Sequence, residues 1–349
     1  MHDLVSRIQA TLYGVAIGDA MGMPWEMMTH TEILEATKGS GVSGFSDPVQ
    51  RKLKGTMNLK AGDTTDDWQL TAANIRSLVR SGEYNHVDCA TEHVNELMKT
   101  RFGWGKTTKN SIQKIARLLY GSVLEGKKRD DVKIPEAEPI LSGKPGAGCG
   151  NGVAMKIAPI ALFYYLRDGI DPNSLWEVVR LHGSLTHPDI RATIAAYALA
   201  LTLQIAIDPK HRSQKYILKF LQQECRRIED FYPTFDLNVS DVFGKIIKDD
   251  LRLIDTPDQL REVVGTSCFS LESVPFAIAT FLRHPSDFRA GVLEAINAGG
   301  DTDSAGSMVG ALIGANCGLD VIPIEWKDFR PEYTQALGLG EALFRVAKG

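Results

Sequence analysis

Residues 192–207, A-T-I-A-A-Y-A-L-A-L-T-L-Q-I-A-I, carry no charge and are apolar on every side when wound at 3.6 residues per turn. A helix without a polar face must be enclosed by other elements. The run falls short of the roughly 20 apolar residues that a bilayer span requires, so it reads as a helix surrounded by helices. Residues 304–319 form a second uncharged run of the same kind. Outward from these, Val5, Ile8, Leu12 and Val15 recur at three- and four-residue steps. So do Trp68, Ala72, Ile75 and Val79, with Gly82 placed to end that helix. Residues 271–283 and 288–297 predict two more helices, and alternating strand-like runs are scarce. The expectation is an all-α fold: a single compact multi-helix domain over 1–349. It is interrupted by one long loop at about 121–147, where charges, prolines and glycines replace any period.

Of the 349 residues, 44% are apolar and 23% charged, which excludes a disordered or collagen-like chain. Basic residues number 39 against 43 acidic, a net charge of −4, so no global field attracts a nucleic-acid backbone or an anionic membrane. Neither is an expected partner. Cys89, Cys149, Cys225, Cys268 and Cys317 are odd in number and widely spaced, which argues against a disulfide framework or a cysteine zinc site. A reducing, cytoplasmic setting is expected. The opening residues lack the basic-then-apolar layout of a signal peptide, since Asp3 and Asp19 bracket the apolar part.

Two segments share a wording: G-D-T-T-D-D at 62–67 and G-G-D-T-D-S at 299–304. Each opens a predicted helix, where a single oxygen side chain would serve as cap and negative charge is favoured by the dipole. Both segments supply more than a cap uses. Neighbouring carboxylates repel unless a cation compensates, and oxygen-only clusters suit hard cations such as Mg²⁺ or Mn²⁺. Near the N-terminus, G-D-A-M-G-M-P-W-E at 18–26 ends a helix of small residues, placing Asp19 as a structural hydrogen-bonding group and Glu26 just beyond a proline. The run G-A-G-C-G-N-G at 146–152 offers either a mobile loop tip or a backbone concavity for an anion. It matches no nucleotide fingerprint. His187, ahead of the enclosed helix, reads as a ligand contact or a cap, and Trp104 as a surface aromatic or a core anchor.

Taken together, these motifs resemble the ADP-ribosylglycohydrolase family, which includes the dinitrogenase reductase-activating glycohydrolases and the ADP-ribosyl-acceptor hydrolases. The resemblance runs from Gly14 to about Gly318. It is carried by the segment ending at Glu26, by Thr65-Asp66-Asp67, by Gly150-Asn151-Gly152 with Met155, and by Gly299 to Asp303. It implies an all-helical domain with two divalent cations, Mg²⁺ or Mn²⁺, in a central cleft. Thr65, Asp66, Asp67, Asp301, Asp303 and Ser304 would be the ligands, with Asp303 bridging and also catalytic. Glu26 would stand beside the scissile bond. Gly148, Cys149, Gly150, Asn151, Gly152 and Met155 would face the diphosphate and ribose, with His187 and Trp104 along the same groove.

Ser304 stands where many members have threonine and keeps the hydroxyl. Lys156 replaces a common arginine, retaining charge without the forked geometry. Cys149 replaces a frequent aromatic residue, which removes base stacking from that position. The expected reaction is metal-dependent hydrolysis of the bond joining ADP-ribose to a protein side chain, with arginine favoured because a guanidinium suits an acidic cleft. Serine-linked ADP-ribose, poly(ADP-ribose), O-acetyl-ADP-ribose, a non-catalytic binding role and a different hydrolase using the same metals are the alternatives. The expected partners are an ADP-ribosylated protein and an ADP-ribosylating toxin or enzyme, with the chain itself a monomer.

Overall fold

Asp189 opens the enclosed helix. Its carboxylate accepts from the Arg191 N–H at 3.0 Å and pairs with the Arg191 guanidinium at 2.8 Å, both residues being buried. In this computed structural model the helix runs Ile190–Ile207 and all of it is buried. Two of its few polar side chains donate within the fold: Thr202 Oγ1 to the Ala198 carbonyl at 2.7 Å, and Gln204 Nε2 to the Ala161 carbonyl at 3.1 Å. The structure describes residues 2–49, 59–100, 103–125, 132–135, 148–208, 210, 212–232, 236–248 and 255–349.

Sixteen α-helices and no strand occur among the described residues. The first five are α1 (His2–Gly22), α2 (His30–Ala36), α3 (Asp66–Ser81), α4 (His86–Lys99) and α5 (Lys106–Leu124). Next come α6 (Ala158–Asp168), α7 (Pro172–Ser184), the enclosed helix α8, α9 (Gln214–Glu229) and α10 (Val239–Lys248). The remainder are α11 (Pro257–Val264), α12 (Ser270–Arg283), α13 (Phe288–Asn297), α14 (Thr302–Cys317), α15 (Ile324–Lys327) and α16 (Gln335–Lys348). Helix α8 packs against α6, α7, α9, α12 and α14. The expected terminator is in place, with Gly82 left-handed at φ 71° after α3.

The deepest seam joins α1 to α14. Small residues recur every fourth position on both, which lets the backbones touch, and the pairing of Gly14 with Gly310 and of Gly22 with Thr302 makes the two helices antiparallel. A Cβ on Gly14 would stand 2.2 Å from the Gly310 carbonyl oxygen, one on Gly18 2.2 Å from that of Gly306, and one on Gly22 2.2 Å from that of Thr302. The Thr302 hydroxyl donates to the Gly22 carbonyl at 2.8 Å and closes this seam. The consequence is positional: the end of α1 and the start of α14 are fixed beside each other.

A second, smaller core lies under α3, α4 and α5, built on Leu70, Val94, Leu97, Ile112, Ile115 and Leu119. The long loop starts later than its composition predicts, because α5 continues through Gly121, where the missing side chain leaves open space rather than a break. Val132 and Ile134 return to this second core. Residues 126–131 and 136–147, most of the expected loop, lie outside the described residues, as do Gly146 and Ala147 of the glycine run.

Candidate active site

The site forms where three helix ends meet: the N-termini of α3 and α14, and the turn after α1. At the start of α3, Thr65 occupies the cap position, yet its side chain makes no capping hydrogen bond. Asp19, from α1, serves instead. Its carboxylate accepts from the Thr65 N–H at 2.9 Å, the Trp68 N–H at 3.0 Å and the Thr65 hydroxyl at 2.7 Å. Asp301 likewise occupies the cap position of α14 without capping it. Its carboxylate accepts from Asn151 Nδ2 at 2.9 Å, while its N–H donates to the Thr266 carbonyl at 2.8 Å. Neither cap residue therefore spends its side-chain oxygens on the helix it opens.

Those oxygens converge. Single carboxylate oxygens of Asp19, Asp67 and Asp303 lie within 4.8 Å of one another, and so do those of Glu26, Asp301 and Asp303. Asp303 belongs to both groups. The Ser304 hydroxyl reaches Asp67 Oδ2 at 3.5 Å, and Asp66 accepts from the Gly105 N–H at 3.3 Å. Glu26 is half-buried at the rim, held by a paired backbone contact in which the Met27 N–H donates to the Gly300 carbonyl and the Gly300 N–H to that of Met28, each at 2.7 Å. Met27 adopts a left-handed φ of 66°, so the turn presenting Glu26 is constrained.

So many buried carboxyls raise one another. Burial, then Asp301, Asp66 and Asp19, push Glu26 to about 8. Burial and Asp19 push Asp66 to about 7, burial pushes Asp19 to about 6, and Asp67 and Asp303 stand well above the carboxylate range. A bound cation inverts this logic by favouring the charged forms. The donor set fits one: it is oxygen-only, and Asp67 Oδ1 is buried without a hydrogen-bond partner among the described residues.

The sign of the metal-free behaviour follows. Raised carboxyl pKa values stabilise the fold below about pH 4, where both states are protonated, and that stability is lost as pH rises through the folded values. The melting temperature of chelator-treated protein is therefore expected to fall between pH 6.5 and 9. Mg²⁺ or Mn²⁺ should raise it most at the alkaline end. A flat or rising profile without metal would contradict uncompensated carboxyls.

Among the other expected site residues, Asn151 fixes Asp301, and Met155 Sδ lies 4.0 Å from Ser304 Oγ. Gly148 is left-handed at φ 82°, Gly150 bridges Phe269, and a Cβ on Gly152 would stand 2.5 Å from His187 Cε1. Two of the expected site residues turn their side chains inward. Cys149 is wholly buried with its thiol 3.3 Å from Ser270 Oγ, because its backbone is bonded to the start of α12, so its side chain cannot face a ligand. Trp104 is a core anchor, its indole N–H donating to Gln69 Oε1 at 2.8 Å. Asp19 goes beyond the hydrogen-bonding role expected of it, since it also joins the first acidic group. A buried acid among small residues was the only sign of this.

The family model described as ADP-ribosylglycohydrolase matches residues 1–349. The chain belongs to the ADP-ribosylglycohydrolase family. Membership makes it a glycohydrolase acting on ADP-ribose. Human ADP-ribosylhydrolase ARH3 is 26% identical over 98% of this chain and 94% of its own, and the mouse protein 25% identical over 98% and 92%. The ADP-ribosyl-[dinitrogen reductase] glycohydrolase of Rhodospirillum rubrum is 24% identical over 93% and 90%. A solved structure titled ADP-ribosylglycohydrolase-related protein complex superposes with a TM-score of 0.65, at 23% identity, covering 99% of this chain and all of that one, a likeness of fold. Within this glycohydrolase the acidic clusters occupy the helix ends that the α1–α14 seam brings together.

Proposed function

We propose that this chain cleaves the glycosidic bond between ADP-ribose and a modified protein side chain, with ADP-ribosyl-arginine as substrate. The observation that carries the reading is the pair of acidic groups sharing Asp303, with half-buried Glu26 at their rim. Thr65, Asp66, Asp67, Asp301, Asp303 and Ser304 would hold two divalent cations, Mg²⁺ or Mn²⁺. When bound, such ions fix sugar hydroxyls and lower the pKa of water.

This chain's residues supply the rest. Asn151 and the Thr266 carbonyl orient Asp301, and Asp19 locks the start of α3, so the ligand oxygens are set before substrate arrives. Cleavage passes through an oxocarbenium-like state, whose positive charge the surrounding carboxylates stabilise. Glu26 holds or delivers a proton at the leaving atom or the attacking water. A departing guanidinium pairs with carboxylates, which favours arginine. The backbone of 148–152 and His187 would line the diphosphate. All five cysteines are free thiols, which supports a reducing cytoplasm as the place of work. The enzyme that installs the modification, a regulatory transferase or a toxin, would act upstream.

The test is release of free ADP-ribose from an arginine-ADP-ribosylated protein with Mg²⁺, with Mn²⁺ and with chelator, beside a serine-linked substrate. Metal-dependent release from arginine alone is expected, and Glu26→Gln should lower kcat by about 10²–10⁴-fold. Release from serine alone would overturn the linkage, and no release from either would overturn the catalytic reading.

A further inference from the structure

Behind the glycine loop lies a short chain of buried polar side chains. Lys156 is wholly buried, Thr186 is 1% exposed and His187 4% exposed. The Lys156 ammonium donates to the Gly152 carbonyl and, at 3.2 Å, to Thr186 Oγ1. Thr186 Oγ1 lies 3.0 Å from His187 Nδ1. Burial lowers Lys156 to about 8 against the opposing pull of Cys89, Asp66 and Asp67, so it is charged at neutral pH. Burial and Lys156 together lower His187 to about 3, so its ring is neutral there and carries one proton.

The proton count then favours one arrangement. An ammonium only donates, so Thr186 Oγ1 is an acceptor towards Lys156. The hydroxyl keeps one proton, and its only other partner among the described residues is His187 Nδ1. With Nδ1 as acceptor every proton of this chain is used, whereas an Nδ1–H aimed at the hydroxyl's second lone pair would leave the threonine proton without a partner among the described residues, and the ring proton is accordingly placed on Nε2. Nε2 has no partner among the described residues and is not sealed from solvent. A Cβ on Gly150 would lie 3.4 Å from it and one on Gly152 3.0 Å, so it sits at the edge of the loop, and at Gly152, where an added carbon would also stand 2.5 Å from Cε1, glycine is what lets the backbone pass.

We propose that Lys156 is a positioning residue: through the Thr186 hydroxyl it holds His187 in the Nε2–H form, presenting a neutral donor at Gly150 and Gly152 to a diphosphate oxygen of ADP-ribose. The ligand half of this inference rests on the proposed function, whereas the tautomer does not. The opposite tautomer would aim a lone pair at an anion and repel it. A lysine suffices here because the relay uses single N–H bonds to one hydroxyl and one carbonyl.

The test is ¹⁵N–¹H spectroscopy of histidine-labelled protein, with His187 assigned by loss of its signals in His187→Asn, alongside titration with ADP-ribose. Wild-type protein should show Nε2 protonated and Nδ1 bare. Thr186→Val should release that preference, weaken ADP-ribose by about tenfold and raise KM in step, with kcat within about twofold. Thr186→Ser should restore both. Lys156→Met should copy Thr186→Val, the double variant should add nothing further, and Lys156→Arg should rescue. A protonated Nδ1 in wild-type protein overturns the proposal, as does a Thr186→Val protein that keeps tautomer and affinity. So does a Lys156→Met protein that loses only thermal stability. Failure of wild-type protein to bind ADP-ribose would instead overturn the functional reading, with the tautomer still decided by the spectra.

Discussion

Asp303→Asn is expected to lower kcat/KM by about 10³-fold or more while leaving the protein folded. Asp303 is the one carboxylate counted in both acidic groups, so its removal opens both at once, whereas loss of Asp67 or Asp301 opens one. Asparagine keeps the volume and can still accept the Ser304 N–H bond now made to Asp303 Oδ1 at 2.9 Å. Because Asp303 is held well above the carboxylate range, metal-free folding at neutral pH must protonate it; asparagine spares that cost, so the metal-free protein should melt about 1–3 °C higher. Steady-state kinetics at saturating Mg²⁺ and a melting curve with chelator check the two halves. Unchanged turnover would remove Asp303 from the centre of the mechanism, and a lower metal-free melting point would show that the cluster is not strained by its charge.

Gly18→Val is expected to cost at least about 3 kcal/mol of stability, measured by denaturant unfolding, and to abolish activity with it. The new side chain would begin 2.2 Å from the Gly306 backbone, and no rotamer relieves a clash that starts at Cβ. The helices would have to part, carrying Asp19 away from Asp303. Gly121→Ala supplies the contrast: it is also a helical glycine, but nothing lies within 4 Å of the added carbon. There the exchange should gain up to about 1 kcal/mol by helix propensity. Equal effects at the two positions would mean that the seam yields more readily than backbone contact allows.

What the sequence makes legible here is what local chemistry controls. The absence of any polar face on 192–207 forces an enclosing helical fold, and the surplus of oxygens at 62–67 and 299–304 marks residues that exceed a cap's need. What escapes is decided by contacts distant in the chain. Trp104 between two glycines looks exposed until Gln69, 35 residues earlier, takes its N–H. Cys149 looks like part of a ligand loop until Ser270, 121 residues later, closes over it. Asp19 is half legible: a buried acid needs donors, but only the fold shows that those donors belong to α3. Gly121 misleads for a simpler reason, since a glycine ends a helix only where the backbone also turns.

The α1–α14 seam also sets a timetable. Its two halves are separated by 280 residues at the Gly22–Thr302 contact, so nearly all of the intervening chain must be made before they can meet. At ribosomal speed that is roughly 15–60 s during which the small-residue stripe of α1 has no partner. Asp19 and Asp67 can be close early, but Asp303 arrives with α14. A nascent or truncated chain lacking α14 therefore holds an incomplete cation site, and metal capture becomes a late event that reports completed folding.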